Sequence, residues 1–468
     1  MTSRILNAPL PVDSPHVQVA IVGAGACGLT AALMLNDAGL DCVVLERDAT
    51  PSGSTALSSG FIPAAATLAQ KAQRIDDNPM RFAADIQAKA HGTAANHLVN
   101  AYAKASGVAV DALQTRHAIE FGVLDSFLYP GHSTCRMHCV PERTGAALMA
   151  RLLRAATNAD VPIVSHALVQ SLHQNSAGRI TGLNYVRPDG QIEHLSCDVL
   201  LLACNGYGGN AAMVSELLPE MRDALFAGHM GNDGSAIEWG RELGARLADL
   251  GGYQGHGSWA VPYGALISWA VMMEGGIQVN TLGKRFHDES QGYSEAAVNV
   301  LAQQGGVAWN VFDDEILALA RGFPDFCEAQ DAGAVKTCAD VAALSALIGC
   351  PASALQDALN ETAVLPGSSA DPTGRVFKRA LRPPLHAVKV TGALFHTQGG
   401  LDIDAQCRVL RDEGAPFPNL LAAGGAARGV SGDAVWGYLS GNGLLSAVAG
   451  GYIAAQTAVE LINGKGVA

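Results

Sequence analysis

Charge is scarce in this chain: Asp, Glu, Lys and Arg make up 16% of its 468 residues, against about 25% in an ordinary soluble domain. What charge there is sums to −13, and no Lys/Arg cluster stands out, so nucleic acid and anionic membrane are poor partners. The ten cysteines form no disulfide-like framework. The nearest pair, Cys135 and Cys139, has neither the spacing nor the second half of a zinc site, and no CxxCH occurs for attached haem. No metal site is expected. The opening residues MTSRILNAPLPVDSPHVQ contain no apolar core of a secretory signal. The longest uncharged runs, 258–273 and 437–458, hold Pro or many Gly and Ala and read as buried protein, not membrane spans. Together these absences point to a reduced, cytoplasmic setting.

What the chain does hold is apolar and glycine-rich. It is 49% hydrophobic with 53 glycines, enough for a sizeable core whose backbone turns tightly and approaches itself closely. Residues 17–22 (VQVAIV) read as a buried parallel strand, GAGACG follows at 23–28, LTAALMLNDAG reads as a helix, and DCVVLE at 41–46 as the next strand. In that context the glycines have separate jobs. Gly23 permits the turn, Gly25 admits a pyrophosphate to the backbone, and Gly28 lets the helix pack on the strand. The N–H groups of Ala26 and Cys27 open the helix, whose positive end favours phosphate. Glu46 closes the second strand where a ribose hydroxyl donor is expected, and Arg47 follows it.

A second glycine-rich strand and turn, PNLLAAGGAARGVSG at 418–432, contains Gly424 and Gly425. After it, GYLSGNGLLSAVAGGYIAAQTAVELI supplies Gly441, Asn442, Gly443 and Leu444 at the head of a long helix. Such a helix end stabilises negative charge on a bound ring. Two nucleotide-domain segments at opposite chain ends suit a long, extended FAD better than a nicotinamide. Between them, CDVLLLACNGYGGN reads as another central strand, ending at Gly206, and residues 296–370 have helical periodicity. The expectation is an α/β chain: an FAD-binding domain at 1–250, an α+β insertion at 251–385, and a return to the first domain at 386–468.

The segments VAIVGAGACGLTAALMLNDAGLDCVVLE, SGSTALSSGFIPAA, CDVLLLACNGYGGN, GNDGSAIEWGRELGA, GKRFHDES, PPLHAVKVTGALFHTQGGLDID and LLAAGGAARGVSG span most of the chain. Together they resemble the fumarate reductase / succinate dehydrogenase flavoprotein superfamily, with a leaning to its 3-ketosteroid dehydrogenase-like branch. The resemblance implies a Rossmann-like FAD-binding domain of the GR2 type, interrupted by a capping domain, with substrate lying against the flavin. In succinate dehydrogenases the segment matching GSTALSSGF carries a histidine bonded to the flavin. Here Ser54, Thr55, Ala56 and Leu57 stand there, which implies non-covalent FAD. Ser54, Thr55, Ser58, Ser59 and Gly60 become candidate flavin contacts, and Asp233 in GNDGSA resembles a flavin-proximal turn.

Fumarate reductases carry a proton-donating arginine four positions past the glutamate of GKRF-x-[ND]-E. Four past Glu289 here is Tyr293, in a place where 3-ketosteroid dehydrogenases have a tyrosine. The late arginine that clamps a substrate carboxylate in the family is matched by Tyr438. His396 in FHTQGG and His256 in YQGHGSW match the reductase histidines. The implied site is a hybrid in which His256, His396 and Tyr438 polarise a carbonyl and Tyr293 handles the α-proton. Tyr293 has an ordinary pKa of about 10, so it needs cations or hydrogen bonds to act as a base; Arg285 and His287 lie nearby in sequence. Arg136 in GHSTCRMHC, near His132, is an alternative carboxylate clamp or a surface residue. The activity implied is an FAD-dependent dehydrogenation of a cyclic or activated ketone, possibly a keto acid, by hydride transfer to flavin N5. The alternatives are a reductase of an unsaturated carboxylate or enone, or a flavoprotein with a degenerate site. A small carbonyl substrate and a separate electron acceptor follow as partners.

Overall fold

The structure is a computed structural model, and it describes residues 4–363, 373–377 and 379–464. The chain forms two compact units. The first comprises Met1–Leu217, Gly228–Tyr253 and His396–Ala468; the second comprises Leu218–Ala227 and Gln254–Phe395.

In the first unit, strand β1 (His16–Val22) is apolar on both faces and leads through Gly23–Gly25 into helix α1 (Ala26–Asp37), followed by β2 (Cys42–Leu45). Strand β3 (Ile192–Leu202) pairs parallel with β1, and β2 pairs parallel on the other side of β1. Strand β4 (Pro416–Ala422), more than two hundred residues later, pairs parallel with β3, putting Ala422 opposite Leu202 and Leu202 opposite Val22. The C-terminal ends of β1, β3 and β4 therefore lie side by side, the place where parallel sheets bind ligands.

Helix α1 has no polar face: every residue from Ala26 to Leu35 is buried. One side lies on the sheet and the other against helix α2 (Asn442–Gly464), whose Leu445, Val448, Ala449 and Ala455 share that core. By length and apolar composition α2 is the one continuous helix among the described residues that would cross a membrane; here it is a packed core helix. The two helices meet closely because Gly451 has no side chain. A Cβ there would lie 2.5 Å from the Cys27 carbonyl oxygen.

The second unit is built on an antiparallel sheet in which strand Leu385–Thr397 pairs with Val307–Asp313, whose own other edge holds Ile277–Val279. Periodicity had marked 296–370 as helical. Among the described residues helices lie there at Tyr293–Leu301, Asp314–Ala320, Pro324–Asp331, Val341–Ile348 and Ala352–Glu361, but VAWNVFD at 307–313 and KTC at 336–338 are strands, and 364–370 lie outside the described residues. The alternate and β-branched residues of VAWNVFD fit a half-buried sheet position, and the long partner strand overrides the neighbouring helical texture. In the polar run GKRFHDES, Lys284 and Ser290 are exposed, but the side chains between them turn inward at its charged centre. Arg285 and Glu289 are fully buried and paired at 2.7 Å, and Arg375 joins Glu289 at 2.9 Å. Burial opposes charge on Glu289, but the hydrogen bond from Arg285 and the charge of Arg375 prevail and hold the carboxyl below its ordinary range.

Gly28 is among the tightest points of the first unit: a Cβ there would sit 1.9 Å from the Gly23 carbonyl oxygen. Gly28→Ala is expected to lower the unfolding free energy by about 2 kcal/mol or more through overpacking. Gly122→Ala, where a Cβ meets open space, is expected to change it by less than about 0.5 kcal/mol. Urea titration of the two variants checks the contrast.

Candidate active site

In the first unit, the end of β1 opens a cradle lined by backbone. Gly23 has φ +106°, and a Cβ on it would strike the Ala203 carbonyl oxygen at 2.6 Å. Gly25 ends the turn in an extended conformation, and α1 begins with no side-chain cap and no acidic residue in its first turn. Its N–H groups after Ala26 are therefore available to an anion. Thr55 Oγ1 accepts from the Ala26 N–H at 2.9 Å, placing the Ser54–Thr55 turn against this helix end. Glu46, largely buried, accepts from the Ala24 N–H at 2.9 Å and the Asp48 N–H at 3.0 Å, so its carboxylate faces the glycine turn. Cys27 is a buried thiol whose titration burial pushes up; its role here is packing.

The other candidate cofactor residues join this cradle in part. Gly424, at φ +61°, leaves only 3.2 Å between a hypothetical Cβ and Cys27 Cβ, so the late turn rests directly on the early one. Gly425 packs on Asn205 and Gly206 on Thr397, each with no room for a side chain. Ser54 Oγ accepts from the amides of Asn205 and Asn232, both at 2.9 Å. Ser58 donates to the Thr55 carbonyl and accepts from the Gly60 N–H, which makes it a turn residue; Gly60 itself needs φ +73°. Ser59 is half-buried beside it. Arg47 and Asp233 pair with each other at 2.9 Å on a partly exposed edge, and Asp233 also accepts from Ser235. Gly441, at φ +88°, packs on Pro63, and Leu444 packs into the core from α2.

Beyond the cradle lies a polar cluster at the head of α2. His396 ends the strand Leu385–Thr397, and its ring is edge-on to Tyr438, with centroids 5.5 Å apart. Tyr438 Oη lies 3.5 Å from His396 Nε2 and accepts from the Gly443 N–H at 3.4 Å. Burial depresses His396 to about 4 and raises Tyr438 above its ordinary value, so both are neutral at pH 7. Two neutral hydrogen-bonding groups thus stand together.

In the second unit, Tyr293 is the first residue of helix Tyr293–Leu301, preceded by Gly292 at φ +144°. Its ring stacks on His256 with centroids 4.9 Å apart and planes 15° apart, and Trp269 and Phe395 close around His256. His256 Nδ1 accepts from the Ser258 N–H at 3.1 Å, so the ring proton resides on Nε2. Burial takes His256 down to about 3. The cations near Tyr293 in sequence are occupied elsewhere. Arg285 is held by Glu289 and Glu361, and His287 meets Gln278 Oε1 at 2.8 Å while burial depresses it to about 4.

Arg136 is neither a clamp nor a surface residue. It is fully buried, paired with Asp77 at 3.0 Å and with Asp85 at 2.5 Å, and lies over the Phe82 ring. His132 accepts from Arg136 and donates through Nε2 to the Ser440 carbonyl at 2.9 Å, tying that ion cluster to the loop that carries Tyr438. The sequence reading passed over Gln398, Ser431 and Thr397. Gln398 stands two residues past His396, where strand alternation puts both on one side, a signal that was available; Ser431 offered none.

A family model described as an FAD binding domain matches residues 18–444. Fumarate reductase (cytochrome) of Shewanella frigidimarina is 26% identical over 455 residues, covering 96% of this chain and 78% of the relative. The open conformation of a flavocytochrome c3 fumarate reductase superposes with TM-score 0.80 at 24% identity, covering 96% of this chain and 79% of that one. The 3-ketosteroid-Δ4-(5α)-dehydrogenase from Rhodococcus jostii RHA1, in complex with 4-androstene-3,17-dione, gives TM-score 0.78 at 23% identity, covering 98% of this chain and 100% of that one. These two likenesses speak to fold. The residues present fit FAD on the chain's own terms. An uncapped helix end faces glycines that a Cβ would block, and at the head of α2 Asn442 Oδ1 and Ser446 Oγ are buried without a partner.

Gly443 sits in the first turn of α2, where alanine is the better helix former by about 1 kcal/mol. A Cβ there would lie 2.6 Å from His396 Nε2. Gly443→Ala is expected to displace the imidazole and lower turnover about tenfold or more, with little loss of thermal stability; steady-state kinetics and a melting curve on one sample check it.

Five histidines, 132, 138, 256, 287 and 396, are held at about 4 or, for His256, about 3, each chiefly by burial. The unfolded chain takes up these protons near pH 6.5 while the folded chain refuses them. Stability is therefore complete above about pH 6.5 and falls as pH drops toward 4. Urea midpoints at pH 7.5, 6 and 5 are expected to decrease in that order.

Proposed function

We propose that this chain, which belongs to the FAD-binding domain family and is an FAD-dependent oxidoreductase acting on CH–CH groups, introduces an α,β double bond into a cyclic or otherwise activated ketone. The observation that carries the reading is the neutral pair His396–Tyr438 in place of a charged clamp. A ketone oxygen needs donors that strengthen as enolate charge grows, and neutral donors in a water-poor setting supply that. A dicarboxylate needs guanidinium partners, and Arg136, Arg285, Arg375 and Arg428 are each already bound to carboxylates.

FAD, when bound, supplies the acceptor of the hydride leaving the β-carbon. The chain's own residues do the rest. In the first unit, Tyr438 Oη and His396 Nε2 are the proposed donors to the carbonyl oxygen; in the second, the His256 Nε2–H has the chemistry of a donor. Tyr293 Oη takes the α-proton, its ring aligned by the stack on His256. The glycine turn and α1 hold the pyrophosphate, and Glu46 the ribose. The cofactor is held without a covalent bond, since the Ser54–Leu57 turn offers hydroxyls and no imidazole. Electrons leave to a separate acceptor, and ten free cysteines support a reducing, cytoplasmic location.

A second reading, reduction of an unsaturated carboxylate or enone, is supported by the similarity to fumarate reductase along nearly the whole chain. One set of assays separates the two. The purified flavoprotein with an artificial electron acceptor is expected to oxidise saturated cyclic ketones, and the dithionite-reduced protein to be reoxidised by cyclic enones and not by fumarate. Reoxidation by fumarate alone transfers the assignment to the second reading. With a ketone that is turned over, Tyr293→Phe is expected to lower kcat about 100-fold or more, and Tyr438→Phe about 10- to 100-fold. Both variants are expected to keep their flavin absorbance.

A further inference from the structure

We infer that Gln398, Ser431 and Asn442 form a directional hydrogen-bond chain that fixes which ring nitrogen of His396 carries the proton. The inference rests on the reading of His396 as a carbonyl-polarising group. The chain is buried throughout: Gln398 is 3% exposed, and Ser431 and Asn442 are 0% exposed. Asn442 Nδ2 donates to Ser431 Oγ at 3.0 Å, Ser431 Oγ donates to Gln398 Oε1 at 2.9 Å, and Gln398 Nε2 faces His396 Nδ1 at 3.2 Å.

A hydroxyl has one proton to give, and an amide has one donor end and one acceptor end. The three groups therefore have two self-consistent directions. In the first, the amides point as described and His396 Nδ1 accepts, so the proton resides on Nε2. In the second, both amides are turned over, Ser431 donates to Asn442, and Gln398 Oε1 accepts a proton from Nδ1. Either mixed arrangement leaves the Ser431 proton or one amide oxygen without a partner in a buried place, which costs about 1–3 kcal/mol. The chain consequently switches as one unit. The Thr397 carbonyl, 3.3 Å from Nδ1, is a competing acceptor, which is why the ring alone does not settle the matter. Asn442 Oδ1, buried and unpaired, is the far end of the first direction. A hydrogen-bond donor on bound FAD would close the chain there and hold Asn442 Nδ2 toward Ser431.

The direction decides what a substrate meets. With Nε2 protonated, His396 is a donor and cannot accept from Tyr438, whose oxygen already receives the Gly443 N–H. The imidazole then has a proton to give to a carbonyl oxygen. With Nδ1 protonated, Nε2 is a bare acceptor 3.5 Å from Tyr438 Oη. The imidazole donor is then lost. Gln398, Ser431 and Asn442 act here as positioning residues.

The test is the tautomer itself, read by nitrogen NMR of the full-length flavoprotein with labelled histidine at pH 7.5, the His396 signals being identified by their loss in His396→Gln. In the parent protein the pyridine-type resonance is expected on Nδ1. Ser431→Ala is expected to give a mixture of tautomers, and Ser431→Thr, which keeps the hydroxyl, to restore one. Gln398→Glu, a second and independent variant, is expected to place a proton on Nδ1. A parent protein protonated on Nδ1, or Nδ1 remaining unprotonated in both Ser431→Ala and Gln398→Glu, overturns the inference. Because no substrate is present, failure of the ketone reading leaves these signals as they are, and failure of the chain leaves ketone oxidation untouched.

Discussion

The first unit depends on backbone meeting backbone around residues 23 to 28. The Gly23 carbonyl sits where a Gly28 side chain would be, Gly23 itself lies against Ala203, Gly424 rests on Cys27, and Gly451 touches the Cys27 carbonyl. Four stretches separated by up to four hundred residues are thus drawn to one point. Each can come only because a side chain is missing. Everything that follows on those stretches is placed by this convergence: Thr55 at the helix end, Gly425 beside Asn205, and α2 with Asn442 at its head. A site assembled in this way gains precision from rigid elements and loses it wherever a methyl group is added.

The same economy governs charge. With so few ionised groups, most of the buried ones are consumed in closed clusters: Arg136 with Asp77 and Asp85, Arg285 and Arg375 with Glu289, Arg428 with Asp249 and Asp402. Such clusters contribute little net stability but are costly to break, because removing one partner strands a charge in a poor dielectric. Their consequence for chemistry is subtractive. The guanidinium groups that a diacid would need are held by carboxylates, and the polar atoms left beside the head of α2 are a phenol, an imidazole, amides and hydroxyls.

The βαβ opening was legible from its glycine spacing because only glycine meets those backbone demands; the two strands follow the apolar runs within a residue, and the helix begins at Ala26, three residues before the run LTAALMLNDAG. The late return of β4 and α2 was legible for the same reason. What sequence spacing could not convey was partnership across long separations. Arg136 reads as one cation in a polar loop, yet it is the centre of a buried cluster, since Asp77 and Asp85 lie some fifty residues upstream. Arg285 and Glu289 in GKRFHDES likewise find their further partners, Glu361 and Arg375, far downstream. The strand at 307–313 was hidden by the helices after it, because its partner is seventy-odd residues away. Gln398 and Ser431 are uninformative letters individually; they acquire a role through the hydroxyl and amide they face.

A neutral site is selective in its own way. A carboxylate brought to a phenol and an imidazole that are both uncharged gives up its water and receives no full countercharge, a loss that grows with burial. A ketone gives up far less on entry, and its oxygen becomes strongly hydrogen-bonding only as the α-proton departs. The interactions of His396 and Tyr438 with it are then weak in the bound substrate and strong in the enolate-like state, which is the condition for accelerating a reaction in preference to merely binding a molecule. On the proposed reading, burial of that pair, which keeps both groups uncharged at neutral pH, serves the chemistry as well as the packing.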